Sequence, residues 1–289
     1  MSSLFDQRRS LAYVIFFSIA ILAPDSSPAS DQVKAAEVSS DWNSLGGEGV
    51  SVSVSGKRLS LALDASVINR GYVVVPRLCA PIRSVGWKGI PVVLDDMKRP
   101  IAFQIKPSQQ EWKFTWKDAP DGASIIEVAF DTFPVLPKDC PIATPAGDGS
   151  VMLHAFEAKT VGEKILFEPQ WYKNTVGYWA VDSDYATWDL EVATPGTYSI
   201  ALLQGCGEGH GGSDARVTLR QGDEVDAELA FQTIDTGHFQ NFRWNHLGLI
   251  TLSGSGKYEL RIEATRIASV ALFDVRAIHL VPQAKPQKK

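Results

Sequence analysis

Val50-Ser51-Val52-Ser53-Val54, Ser55-Gly56-Lys57 and Leu59-Ser60-Leu61-Ala62-Leu63 follow one another in the chain, and this stretch decides the fold class. Side chains of an extended strand point alternately to opposite faces, so each run has one apolar face and a more polar one. The Ser-Gly-Lys step between them supplies a turn, and the pair reads as a β-hairpin. Working outward, Tyr72 to Val75, Val92 to Leu94, Ile101 to Ile105, Trp112 to Trp116 and Ile125 to Phe130 repeat the signal. Turn formers Asp95-Asp96 and Pro120-Asp121-Gly122 separate them. Short apolar runs at this spacing predict an antiparallel sandwich rather than βαβ units. The chain shows no long amphipathic helical pattern.

Further along, residues 134–150 are rich in proline and glycine, and 144–150 read as a linker. After it come strand signals at Val151 to Phe156, Ile165 to Phe167, Thr187 to Val192, Tyr198 to Leu203, Arg216 to Arg220 and Glu228 to Gln232. Leu247 to Leu252, Tyr258 to Glu263 and Val270 to Leu280 complete the series. The last alternates without giving a purely apolar face. Pro195-Gly196 and Ser253-Gly254-Ser255-Gly256 are tight connections. The reading is therefore all-β with two β-sandwich domains, at 46–143 and 151–283, and a disordered tail at 284–289.

The start of the chain reads as a secretory signal over 1–29. Arg8 and Arg9 precede the uncharged apolar run Leu11 to Ala23, which is short for a bilayer span, and Ser26-Ser27-Pro28-Ala29 offers small residues for cleavage. A flexible lead-in, 30–45, follows. This predicts a secreted, periplasmic or cell-surface protein with no membrane insertion after cleavage. Of its 289 residues 45% are hydrophobic and 21% charged, an ordinary globular balance. A formal net charge of −5 gives no basic patch for nucleic acid. The three cysteines, Cys79, Cys140 and Cys206, form no CxxC. In an oxidising compartment Cys79 and Cys140, within one domain, are the expected pair, leaving Cys206 over.

Six pieces of the second domain, in order, resemble a family 6-like carbohydrate-binding module of the galactose-binding-like β-sandwich group. They are His154-Ala155-Phe156-Glu157-Ala158; Val176-Gly177-Tyr178-Trp179 with Asp184-Tyr185-Ala186-Thr187-Trp188; Thr194-Pro195-Gly196-Thr197-Tyr198; Thr236-Gly237-His238-Phe239-Gln240-Asn241-Phe242; Gly256-Lys257-Tyr258-Glu259-Leu260-Arg261-Ile262; and Leu272-Phe273-Asp274-Val275-Arg276. The run Gln204 to Ser213 is similar to modules attached to bacterial secreted sulfatases and α-L-fucosidases. Ile82 through Phe130 is similar to the small C-terminal sandwich of α-L-fucosidases. The resemblance implies a galactose-binding-like jelly roll for residues 151–283.

It also implies a ligand cleft in the loops at one end of that sandwich. The family's Gly-Tyr aromatic, loop Trp and last-strand polar residue fall on Tyr178, Phe239 and Asp274, with Trp179 and His238 as further ligand candidates. Phe239 stands where the family has Trp, and Asp274 where it has Asn. A competing reading has Tyr178 and Trp179 plugging the sandwich edge, one of Phe239 and Phe242 in the core, and Asp274 as a structural hydrogen-bonder. Glu157 is the residual candidate for the family's structural calcium. Lys159 replaces the second carboxylate of that motif, which disfavours the ion, so no cofactor is expected.

No catalytic constellation stands out. The histidines show no metal-ligand spacing. The glycine-rich run 205–212 lacks the Gly-Lys-Ser/Thr of a phosphate loop, and Gly254-Ser255-Gly256 lacks a nucleophile-elbow context. The expectation is an exported, non-catalytic protein binding a polysaccharide or glycan by aromatic stacking. The alternatives are a structural or adaptor protein with a degenerate ligand site, or a remnant of an α-L-fucosidase or sulfatase lacking its catalytic domain.

Overall fold

The computed structural model describes Trp42, residues 45–90 and residues 102–284. The expected signal segment, most of the lead-in, the strand at Val92 to Leu94 and residues 285–289 of the tail lie outside the described residues.

The first half contains β1 (Val50–Ser55), β2 (Arg58–Leu63), α1 (Ala65–Arg70), β3 (Tyr72–Pro76), β4 (Ile82–Trp87), β5 (Gln104–Pro107), β6 (Glu111–Thr115) and β7 (Ile125–Phe130). The opening hairpin pairs Val52 with Leu61, and Gly56 takes a φ of 57° in its turn. Val50, Val52, Leu59, Leu61 and Leu63 are buried, as alternation requires. The short helix follows from its caps: Asp64 accepts the Val67 N–H at 2.9 Å, and Gly71 ends it at a φ of 77°. Sheets in the orders β1-β2-β7-β4 and β3-β6-β5 result.

The second half contains β8 (Val151–His154), β9 (Lys159–Val161), β10 (Leu166–Glu168), β11 (Thr175–Gly177), β12 (Tyr185–Val192), β13 (Gly196–Cys206), β14 (Asp214–Gln221), β15 (Glu224–Gln232), β16 (His238–Leu252), β17 (Gly256–Arg266) and β18 (Asp274–Pro282). One sheet runs β10-β11-β18-β13-β16, with β8 also on β18, and the other runs β15-β14-β17-β12-β9. All strand pairs within the sheets are antiparallel. The protein is all-β with facing antiparallel sheets. The short helix α1 and the strands β4, β9 and β11 were not expected from the sequence, and two further stretches differ from it. The strand expected from Val270 begins only at Asp274, and the stretch Thr236 to Phe242, which carries the position of the family's loop Trp, is mostly the start of β16. That stretch lacks alternation because both its faces are partly solvated, and its pairing with β13 holds it extended.

Buried apolar side chains of both halves form one contiguous cluster. The chain just before the joining segment is pinned to β12, since Ala143 N–H donates to Asp189 O at 3.1 Å and Glu191 N–H to Ala143 O at 2.8 Å. Cys79 and Cys140 are free thiols in hydrogen-bond contact with each other, and Cys206 is buried on β13.

Candidate functional site

Asp274 opens β18 and is 7% exposed. Its carboxylate accepts no hydrogen bond from any described residue. Burial foremost, and then the Glu168 charge, push its pKa well above the ordinary carboxylate range. Lys173 and Arg276 oppose that shift without cancelling it. A carboxyl at the wall of an open cleft that accepts no such hydrogen bond is available to a ligand that supplies one.

Gly177, at the end of β11, explains how two acids crowd together. A Cβ there would sit 2.6 Å from Asp274 Oδ1 and 3.0 Å from Glu168 Oε1. Only glycine lets β11 pass beneath them. Glu168 is paired with the Lys173 ammonium. Burial raises the Glu168 pKa, and Lys173 offsets part of the rise. Arg276 fixes the backbone beneath Lys173, donating to Lys173 O at 2.6 Å and Tyr172 O at 3.1 Å. The Arg276 guanidinium lies 3.7 Å from the centre of the Phe242 ring.

Tyr178 follows Gly177 with a φ of 57°, a left-handed conformation uncommon for a bulky residue. This turns its ring outward, 56% exposed, with Lys173 Nζ 5.8 Å from the ring centre. The next residue turns inward, so the reading of Trp179 as a ligand contact is corrected. Trp179 is 0% exposed, packs on Phe273 at 5.5 Å and donates its ring N–H to Asp184 O at 2.8 Å.

Phe239 comes from β16, its ring 5.6 Å from His210. The glycine-rich run makes room for it. A Cβ on Gly205 would lie 2.0 Å from Phe239 O, and one on Gly207 2.8 Å from the Phe239 ring. His238 is exposed, its Nδ1 accepts the Gln240 N–H at 3.0 Å, and it does not line the cleft.

Tyr178, Phe239 and Asp274 thus line one open cleft of about 350 Å³, with Glu168 and Lys173 on its polar side and Ala180, Gln240, Val270 and Ala271 completing it. Glu168, Lys173 and Gln240 were not singled out from the sequence. A larger groove of about 580 Å³ runs along Thr194 to Tyr198, Leu249 and Pro282 to Ala284, but carries no charged side chain.

The carboxylates near the expected calcium position make other contacts. Glu157 accepts the His154 N–H at 2.7 Å, and burial pushes its pKa to about 7. Lys159 contacts Asp189 at 2.5 Å. Asp184 accepts the N–H groups of Glu163, Lys164 and Ile165 at 2.6, 3.1 and 2.9 Å. Among the described residues no group of three or more His, Cys, Asp or Glu could hold a metal ion. No helix among them is long and apolar enough to cross a membrane.

No protein-family model matches the chain, and no curated protein matches its sequence. Solved structures do. An α-L-fucosidase from Vibrio sp. strain EJY3 is 13% identical at a TM-score of 0.34, over 81% of this chain and 39% of that one. This chain therefore spans about two fifths of that enzyme's length. The C-terminal family 6 carbohydrate-binding module of a marine laminarinase from Zobellia galactanivorans is 16% identical at a TM-score of 0.37, over 46% of this chain and 98% of the module. A family 35 carbohydrate-binding module from Clostridium thermocellum gives the same identity, coverage and TM-score.

Proposed function

We propose that this protein is an exported, non-catalytic glycan-binding protein whose cleft holds a sugar against Tyr178 and Phe239. The observation that carries the reading is the convergence, in one open cleft, of an outward-turned aromatic and a largely buried carboxyl that accepts no hydrogen bond among the described residues. A pyranose has an apolar face of C–H groups and a rim of hydroxyls. The rings take the face, and Asp274, the Glu168–Lys173 pair and Gln240 meet the rim. The signal-like residues 1–29 fit a protein that meets such glycans outside the cell.

A glycan array probed with the full chain tests the proposal. It predicts binding to a defined subset of glycans, lost in Tyr178→Ala and Phe239→Ala. Absence of binding across the array overturns it.

A further inference from the structure

β10 has two working faces. Glu168 points into the cleft, and its neighbour Phe167 must point the opposite way. The Phe167 ring meets the first half, 6.3 Å from the ring of Trp112 and 5.5 Å from the Arg77 guanidinium carbon. Phe167 and Trp112 are both fully buried. Arg77, itself buried, donates to Ala158 O at 2.6 Å.

The backbone around β10 is fastened to the same half. Ile82 N–H donates to Pro169 O at 2.7 Å, and Gln170 Nε2 donates to Ile105 O at 2.9 Å. Gln109 Nε2 reaches both Gly162 O and Ile165 O at 2.9 Å. Within its own sheet β10 is held far less. It is an edge strand of three residues whose sheet partner, β11, is equally short and joins β18 through the single pair Val176–Val275. Edge pairing this brief is weak by itself.

We infer that the first half is the backing of the cleft floor, and that Gln170 and Gln109 are positioning residues for Glu168 and Lys173. The inference rests on the proposed glycan site for its functional meaning, and its structural part can be read without a ligand. The joined halves, rather than a free-standing second half, then constitute the binding unit. This gives residues 46–143 a role that their own surface does not reveal.

The test uses the full chain carrying Gln109→Ala and Gln170→Met together, the latter keeping volume while removing the donor. Amide hydrogen exchange is followed by mass spectrometry. Carbon-detected NMR reads the Asp274 carboxyl, and the array follows glycan binding. Losing three hydrogen bonds that fasten the floor should speed exchange roughly tenfold across 162–177. β13 should stay within about twofold of wild type. The Asp274 titration midpoint should fall toward the ordinary carboxylate value as water reaches the floor, and any glycan bound by wild type should bind more weakly. Unchanged exchange over 162–177 with an unmoved Asp274 midpoint overturns the inference, because the second half then holds its floor alone. A wild-type chain that binds no glycan ends the functional meaning while exchange still decides the backing.

Discussion

Replacing Tyr178 with glycine separates what this residue does for the fold from what it does for a ligand. At a φ of 57° the tyrosine bears the left-handed penalty, roughly 1–2 kcal/mol, which glycine escapes. Against that relief stand the larger unfolded-state entropy of glycine, about 0.5–1 kcal/mol, and the loss of a partly exposed Lys173 contact, about 0.5 kcal/mol. The balance lies within about 1 kcal/mol of zero, whereas truncating a core aromatic costs about 3–5 kcal/mol. Urea unfolding of wild type and Tyr178→Gly, compared at constant slope, measures it. Glycan affinity should behave oppositely. Losing one stacking face removes about 1–2 kcal/mol, or roughly 5- to 30-fold in Kd. A stability loss above about 3 kcal/mol would refute the reasoning, because the ring would then be a structural plug, as the competing sequence reading has it.

Three further outcomes follow from the same geometry. The Asp274 pKa is raised, so the unfolded chain releases this proton first; its stabilising contribution is complete below about pH 4 and is lost as pH rises through the raised midpoint. Asp274→Asn should therefore flatten the stability profile between about pH 4 and that midpoint and leave the variant above wild type at higher pH, and parallel profiles in thermal melts would contradict this. Gly177→Ala drives a methyl into both floor carboxylates and should cost about 1–3 kcal/mol, with an unshifted Tm counting against the floor geometry. Treatment with a small-molecule disulfide should link Cys79 to Cys140 and leave Cys206 free, raising stability by about 2–4 kcal/mol. Peptide mapping checks the pairing, and a bridge containing Cys206 would show that the thiol contact is wrong.

What could be read from the sequence divides along physical lines. The strands with clean alternation, such as β1, β2 and β7, were legible because one face of each is buried. Strands of three residues, such as β9 and β11, are too short to show any period. Tyr178, Phe239 and Asp274 were reached through motif resemblance, and the structure places them on one cleft. Trp179 was misplaced because the left-handed turn at Tyr178 reverses its direction, and no residue pattern announces that φ. Glu168 and Lys173 escaped notice since their relation to Asp274 spans about a hundred residues and exists only after β11 docks on β18. The glycine-rich run 205–212 carries no phosphate-loop signature, and its sequence alone gives no reason for so many glycines. Its first glycines make space for the Phe239 strand.

The most direct test of the cleft is chemical-shift mapping of the full chain titrated with a glycan selected on the array. The account predicts that the shifts centre on Glu168, Lys173, Tyr178, Phe239, Gln240 and Asp274 and saturate with the binding isotherm. Shifts centred instead on the groove of Thr194 to Tyr198 and Leu249, with the Tyr178 and Asp274 signals unmoved, would contradict it.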